Sequence, residues 1–281
     1  MKLLRCNILS VFTIIVLCTA CEETDITKSG NGELPTEGVL TNGVFTVAKG
    51  KQVYFSQANL QYNASRDLWR FAEHQYDVVG DDNAYASQSY TGWFDLFAWG
   101  TSGYKDKVPY GNGDGEGIER NIAGTKYDWG VYNKISNGGN KANLWRTLTN
   151  KEWDYLLTKR PQCDVLYSRA SVGPVKGVIL LPDNWVQPEN IDFIPTAFGW
   201  LGNEYTFDEW AVMEANGAVF LPAGGHRIGN DMEHVNEYGY YWTSSIADSF
   251  NSWCLDFGCG NVNTAKAGSS CRYSVRLVCD L

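Results

Sequence analysis

Gly-Tyr-Tyr-Trp-Thr-Ser-Ser at 239–245 and Arg-Tyr-Ser-Val-Arg-Leu-Val at 272–278 decide how this chain is read. Both runs are aromatic or β-branched, and they bracket a stretch dominated by Ser, Asn, Asp, Gly, Ala and Cys. Strand chemistry therefore encloses turn chemistry. Period-two alternation puts Tyr273, Val275 and Leu277 on one face of the last strand, and Ser274, Arg276 and Val278 on the other. Arg276 sits among apolar neighbours, where it needs a carboxylate or loop carbonyls to bind. Tyr241, Trp242, Val275 and Leu277 read as frame, and the loop 246–271 as the surface presented to a partner.

Working outward, Ser252–Phe257 reads as a further strand within that stretch. Strands also open the domain, at Gly43–Val47, Gln52–Tyr62 and Leu68–Phe71. Thr149-Asn-Lys-Glu152 and Thr206-Phe-Asp-Glu209 are capping boxes, each followed by a helix. The first helix carries Trp153, Leu156 and Leu157 on one side. The second carries Phe207, Trp210 and Met213 as a broad apolar stripe and stops at Gly217. Trp153 and Trp210 read as core wedges. Each helix is later followed by a strand ending Leu-Pro, at Val178–Pro182 and Ala218–Pro222; the unequal separations argue against a true repeat. Residues 80–142 are rich in Gly, Asp, Asn and Tyr, and such a length of loop calls for packing by its own aromatics, among them Trp93, Trp99 and Trp129. Gly111–Gly117 lacks the flanking elements and ligand spacing of a phosphate or calcium loop, and reads as a hairpin tip. The fold class is α+β.

The 281 residues, 44% hydrophobic with 11 Trp, 16 Tyr and 12 Phe, are those of a globular chain. A net charge of −9 with no basic run argues against nucleic acid, whose phosphates demand a basic patch. Lys2 and Arg5 precede an apolar run, Ile8–Cys18, too short for a permanent membrane span. Thr19-Ala20-Cys21 then resembles a lipobox, which makes residues 1–20 a signal peptide and Cys21 the lipidated mature N-terminus. The alternative for the same segment is an ordinary secretory signal. Glu22, Glu23 and Asp25 resemble the acidic signal that sends lipoproteins outward, so the expected location is the outer face of a bacterial outer membrane. Residues 21–40 read as a flexible tether and 41–281 as the domain. Beyond Cys21 five cysteines remain, Cys163, Cys254, Cys259, Cys271 and Cys279, an odd number that leaves at least one thiol unpaired or bound to another chain.

Their spacing fits no structural zinc pattern, and a disulfide between neighbouring strands is the better expectation. His226 and His234 flank a short polar turn; sharing a ligand or metal is one reading, ordinary hydrogen bonding or exposure the simpler one. No Gly-x-Ser-x-Gly elbow occurs. Asp81-Asp82 and Glu233/Glu237 are carboxylate pairs whose separation the sequence does not set. No cofactor, metal or catalytic residue is expected.

Ordered phrases carry a resemblance. They are Trp145-Arg-Thr-Leu-Thr149 leading into Glu152-Trp153-x-Tyr155-Leu-Leu157, Val178–Trp185, Phe220-Leu-Pro-Ala-Gly-Gly-His-Arg227, Tyr240–Ser245 and Tyr273–Val278. Together they resemble the Fibrobacter succinogenes major paralogous (FISUMP) domain of exported lipoproteins, over roughly 43–281. The resemblance implies a C-type-lectin-like fold with terminal strands paired, two helices and a long loop excursion. It also implies two relatives. In the variable proteins of diversity-generating retroelements, AAC codons become any NNC codon. Residues 246–271 contain no Glu, Gln or Met and only one Lys and one Trp, the five residues that NNC does not encode. In the formylglycine-generating group two cysteines four residues apart hold a soft metal, a spacing shared by Cys254 and Cys259, which implies a copper oxidase as an alternative. A structural envelope or fimbrial module is a third reading. The favoured one is a surface lipoprotein that binds a protein or glycan through Ser249, Phe250, Asn251, Trp253, Cys254, Asp256, Cys259, Asn261, Asn263 and Tyr273.

Overall fold

Phe45 and Val47, then Val53 and Phe55, alternate inward along two short segments that form a hairpin, and the last residues of the chain pair with its second strand. The computed structural model describes residues 34–111 and 117–281; the signal peptide, Cys21, most of the tether and the centre of the Gly111–Gly117 stretch lie outside them. Among the described residues the first strands are β1 (Phe45–Ala48), β2 (Lys51–Phe55), β3 (Leu60–Asn63) and β4 (Leu68–Phe71), followed by helix α1 (Trp129–Tyr132). β5 (Arg146–Thr147), α2 (Asn150–Thr158), β6 (Tyr167–Val172), β7 (Val175–Leu180), β8 (Glu204–Tyr205), α3 (Phe207–Ala215) and β9 (Val219–Pro222) make the middle. β10 (His226–Ile228), β11 (Asp231–Glu233), β12 (Gly239–Ile246), β13 (Asn251–Phe257), β14 (Val262–Gly268) and β15 (Leu277–Asp280) complete the chain. The molecule is α+β, mostly sheet.

β15 lies between β2 and β5 in a sheet of order β1-β2-β15-β5, so the two ends of the domain are hydrogen-bonded together. A second sheet, β8-β6-β7-β9, is covered on both sides. Val178, Leu180, Val219 and Leu221 pack under α2 and the terminal sheet, while Ile179 and Phe220 pack with Trp210 and Met213 of α3. That double burial is why Val178–Leu181 and Val219–Leu221 read as unbroken apolar runs. The two Leu-Pro phrases turn out to be neighbours, Val178 opposite Leu221 in antiparallel pairing.

Both capping boxes form. Thr149 accepts from the Glu152 N–H at 3.2 Å and Thr206 from the Glu209 N–H at 3.2 Å, and each glutamate closes back on its threonine. Trp153 and Trp210 are buried as core wedges. The second stripe is narrower than expected: Phe207 stays half exposed, its ring against Tyr76. Gly217 ends α3 with φ of +94°, pressed against the carbonyl of Asn42, where a side chain has neither the conformation nor the room.

Three expectations need correction. The single strand 52–62 is two, because the Ser56 hydroxyl turns back to the Ala58 carbonyl and the chain leaves the terminal sheet for the β3–β4 hairpin. The final strand runs 277–280 rather than 272–278. Arg272, Tyr273 and Ser274 make single bridges to three different segments, at Arg227, Phe97 and Tyr241, instead of one ladder. The alternation across it holds, with Tyr273, Val275 and Leu277 in one core cluster and Val278 in another. Lastly, 246–271 is no loop: β12, β13 and β14 form an antiparallel meander, and β14 has no counterpart in the sequence reading. Its small polar residues still satisfy a full backbone ladder, which needs no apolar side chains.

The excursion 80–142 is held by aromatics, as its length requires. Trp99 and Trp129 are fully buried, and their indole N–H groups donate to the carbonyls of Thr243 (2.7 Å) and Thr101 (3.1 Å). Trp242 returns the contact by donating to the Phe97 carbonyl at 2.7 Å. The excursion is thereby fastened to the strand that begins the meander.

Candidate functional site

Side chains alternate across the meander, and register decides which of them share a face. Tyr240, Asp256 and Asn263 stand in one row across β12, β13 and β14; Trp242, Cys254 and Ala265 form the next. The opposite face carries Tyr241, Leu255 and Phe257 into the core beneath α2. The Tyr240 row is the part that reaches solvent: Tyr240 and Asp256 are half-buried and Asn263 is exposed. The second row is closed over by Tyr273, whose ring lies 4.7 Å from Tyr240 in a stack and 4.5 Å from Trp242. Tyr238 extends the stack beyond Tyr240, at 6.2 Å.

Asn261, in the turn after β13, ties the polar part together. Its Nδ2 donates to Asp256 Oδ2 at 3.2 Å and to Asn263 Oδ1 at 3.0 Å. Desolvation raises the Asp256 carboxyl, and the Asn261 bond opposes that. Burial, with Asp256 close by, pushes the Tyr240 phenol up to about 12, so it remains a neutral donor. Arg169 fixes the turn from below, donating to the carbonyls of Gly258 (2.8 Å) and Ala197 (2.9 Å). The result is a rigid face of stacked phenols beside a carboxylate and two amides. It suits a ligand that offers both hydrogen-bonding groups and a flat apolar surface.

The ten residues singled out from sequence do not form one site. Cys254, Asp256, Asn261, Asn263 and Tyr273 gather on or under this face. Ser249, Phe250 and Asn251 sit at the β12–β13 turn, with Phe250 71% exposed and Asn251 bound to Asp248. Trp253 is on the other face, opposite Lys266, whose Nζ is 5.5 Å from the indole. Cys259 is exposed in the β13–β14 turn while Cys254 is buried in the core, its thiol directed to the Ala265 carbonyl at 3.6 Å. Burial raises the Cys254 thiol, so it is held protonated. The structure therefore does not bring Cys254 and Cys259 together. Cys163, Cys254, Cys259, Cys271 and Cys279 are all free, and the cross-strand partners of Cys254 are Trp242 and Ala265 rather than another thiol. The expected disulfide is not formed.

Sequence reasoning missed Tyr238 and Tyr240 as site residues, and weighed His226 only with His234. The signal was present, since Tyr240 alternates with Tyr241 and must face away from the core that Tyr241 enters. His226 packs edge-on to Tyr240 at 5.3 Å and stacks on His234 at 5.7 Å. Glu233 lies 3.5 Å from His226 Nε2, and Glu237 3.2 Å from His234 Nδ1. Among the described residues no group of three or more His, Cys, Asp or Glu side chains is arranged to hold a metal ion. The chain matches no protein-family model, no curated protein and no solved structure.

Proposed function

We propose that this chain is a lipid-anchored surface protein whose C-type-lectin-like domain binds a ligand, protein or glycan, on the Tyr240–Asp256–Asn263 face of the meander. The observation that carries the reading is the row itself. Three chemically different side chains, from three strands in register, lie beside a tyrosine stack and are locked by Asn261. Rigid strands hold such groups with little ordering cost on binding. The test compares wild-type protein with an Asp256→Ala/Asn263→Ala double variant on glycan arrays and on immobilised surface proteins. Loss of each captured ligand by the folded double variant is expected; equal capture by both proteins sinks the assignment. Anchoring is tested separately, by palmitate labelling that Cys21→Ser abolishes.

One observation favours the retroelement-diversified form of this reading. The only two residues of 246–271 that NNC codons do not encode, Trp253 and Lys266, are cross-strand partners on the face turned away from the Tyr240 row. On the row's own face Ser252, Cys254, Asp256, Asn263, Ala265 and Ala267 are all residues such codons reach. A neighbouring reverse transcriptase gene with an AAC-rich copy of these codons is the expected genomic finding. Its absence from a complete genome removes diversification and leaves binding standing.

A further inference from the structure

A concave feature lies away from the meander, where β3 and β4 meet the start of the long excursion. It is a cleft of about 420 Å³ walled by Gln61, Arg70, Glu73, Asp82, Tyr90 and Trp93. That volume falls within the roughly 300–1,000 Å³ usual for small-ligand sites. Gln61 and Arg70 face each other across the β3–β4 hairpin, and Arg70 Nε donates to Gln61 Oε1 at 2.9 Å. The guanidinium carbon lies over the Trp93 indole, 3.9 Å from its centroid. Gln61 is 4% exposed overall and lines the cleft, its Oε1 already engaged by Arg70. A primary amide at the wall of a cleft has N–H groups to offer a bound acceptor.

The rest of the wall is equally fixed. The Tyr90 ring lies directly against Gly92, whose missing Cβ would stand 2.4 Å from the phenol oxygen and 2.5–2.8 Å from ring carbons. Glycine is what lets the ring rest there. Behind the cleft Asn83 and Asp95 bind each other reciprocally, Nδ2 to Oδ1 at 2.9 Å and N to Oδ1 at 3.0 Å. Asp95 also accepts from the Val79 N–H at 3.1 Å, which sets the 79–83 segment in place.

We infer that this cleft binds a neutral saccharide, without calcium. The wall mixes donors, the Gln61 amide and the Arg70 guanidinium, with carboxylates: Glu73 lies 3.7 Å from Arg70 Nη1, Asp77 accepts from the His74 N–H at 2.8 Å, and Asp82 is exposed at the rim. Sugar hydroxyls both accept and donate, so one polyol satisfies both kinds of group. The Tyr90 and Trp93 rings supply the apolar surface that pyranose C–H faces pack upon. Three carboxylates against one guanidinium turn away uronic and sialic acids. The planar side chains bind the hydroxyls directly, so no bridging cation is required.

The inference is independent of the meander face, and the experiment keeps them apart. Full-length chain in a detergent without a sugar headgroup is titrated, by ligand-observed NMR with EDTA present, with neutral hexose and N-acetylhexosamine trimers and with a glucuronate-containing trimer. Saturable binding of at least one neutral trimer, and none of the glucuronate trimer, is expected. Asp82→Ala on the exposed rim and Gly92→Ala beneath Tyr90 should each weaken it about tenfold, the value of one good hydrogen bond or contact set. Asn263→Ala in the meander should leave it unchanged. The inference is overturned if no neutral trimer binds the folded protein, if glucuronate binds equally well, if EDTA abolishes binding, or if Asn263→Ala weakens it while Asp82→Ala does not.

Discussion

Arg146 is the residue on which most buried charge converges. Its side chain, 3% exposed, donates to Glu152 Oε2 at 2.9 Å and binds Asp280 through Nε and Nη2 at 2.6–3.0 Å. Arg146→Met would take the guanidinium fork from both carboxylates, Lys51 remaining 3.0 Å from Glu152. A loss of about 3–5 kcal/mol in urea denaturation is expected, with Arg146→Lys recovering less than half because an ammonium lacks the fork. Asp95 carries part of the pH dependence. Burial raises its carboxyl from 3.8 to about 6 against the bonds from Asn83 and Val79. Between those values the folded state holds more protons than the unfolded one, so stability falls as pH rises through the window. Relative to Asp95→Asn, the wild type should gain about 2 kcal/mol between pH 7 and pH 4. Asp128, raised by burial to about 6, pulls the same way and His226, lowered by burial, the other way, but both are common to the two proteins and cancel in the comparison. Parallel stability profiles for the two proteins would show that Asp95 is not the group responsible.

At the scale of elements the two capping boxes look alike in sequence but differ in surroundings. Glu152 is buried and also holds Arg146 and Lys51, while Glu209 stands at an exposed helix end. Thr149→Ala should therefore cost about 2 kcal/mol and Thr206→Ala about 1 or less, read from denaturation midpoints at constant slope. Both helices were legible because a capping box is a local chemical sentence, complete within four residues. The β1, β4, β7, β9 and β12 segments were legible for a related reason, their apolar pattern matching the faces they bury. The meander was only half legible. Ser252–Phe257 alternates buried residues with a tryptophan and an aspartate, but Val262–Gly268 buries almost nothing, so no hydrophobic signal distinguishes strand from loop there. Its strand state comes from pairing with β13, a tertiary cause. The same gap split the candidate site. Asp256 and Asn263 were found as polar residues in a polar stretch, but their alignment with Tyr240 depends on a register that composition does not contain.

For the whole molecule, closure between the ends is the organising fact. Tyr54 and Cys279 are 225 positions apart and adjacent in one sheet, with β15 flanked on both sides. The segment leading into β15 is what braces the meander, since Tyr273 stacks on Tyr240 and Ser274 exchanges backbone bonds with Tyr240 and Trp242. The candidate face therefore inherits its rigidity from the last strand of the chain. Contacts of such separation close late and carry a large loop entropy, so they are made only when the intervening chain is nearly in place. Deleting residues 277–281 removes β15 and the Asp280 partner of Arg146 together. The truncated chain should lose its near-ultraviolet aromatic signal and any single sharp thermal transition. Amide protection in β12–β14 should vanish along with that in β1 and β2, although among the described residues none of the deleted ones has a backbone hydrogen bond to the meander. Removing Leu281 alone, which contributes only its N–H to the Gln52 carbonyl, should leave all three readouts intact. If β12–β14 kept their protection in the longer truncation, the meander would be a self-standing unit, and the bracing role of the C-terminal strand would be wrong.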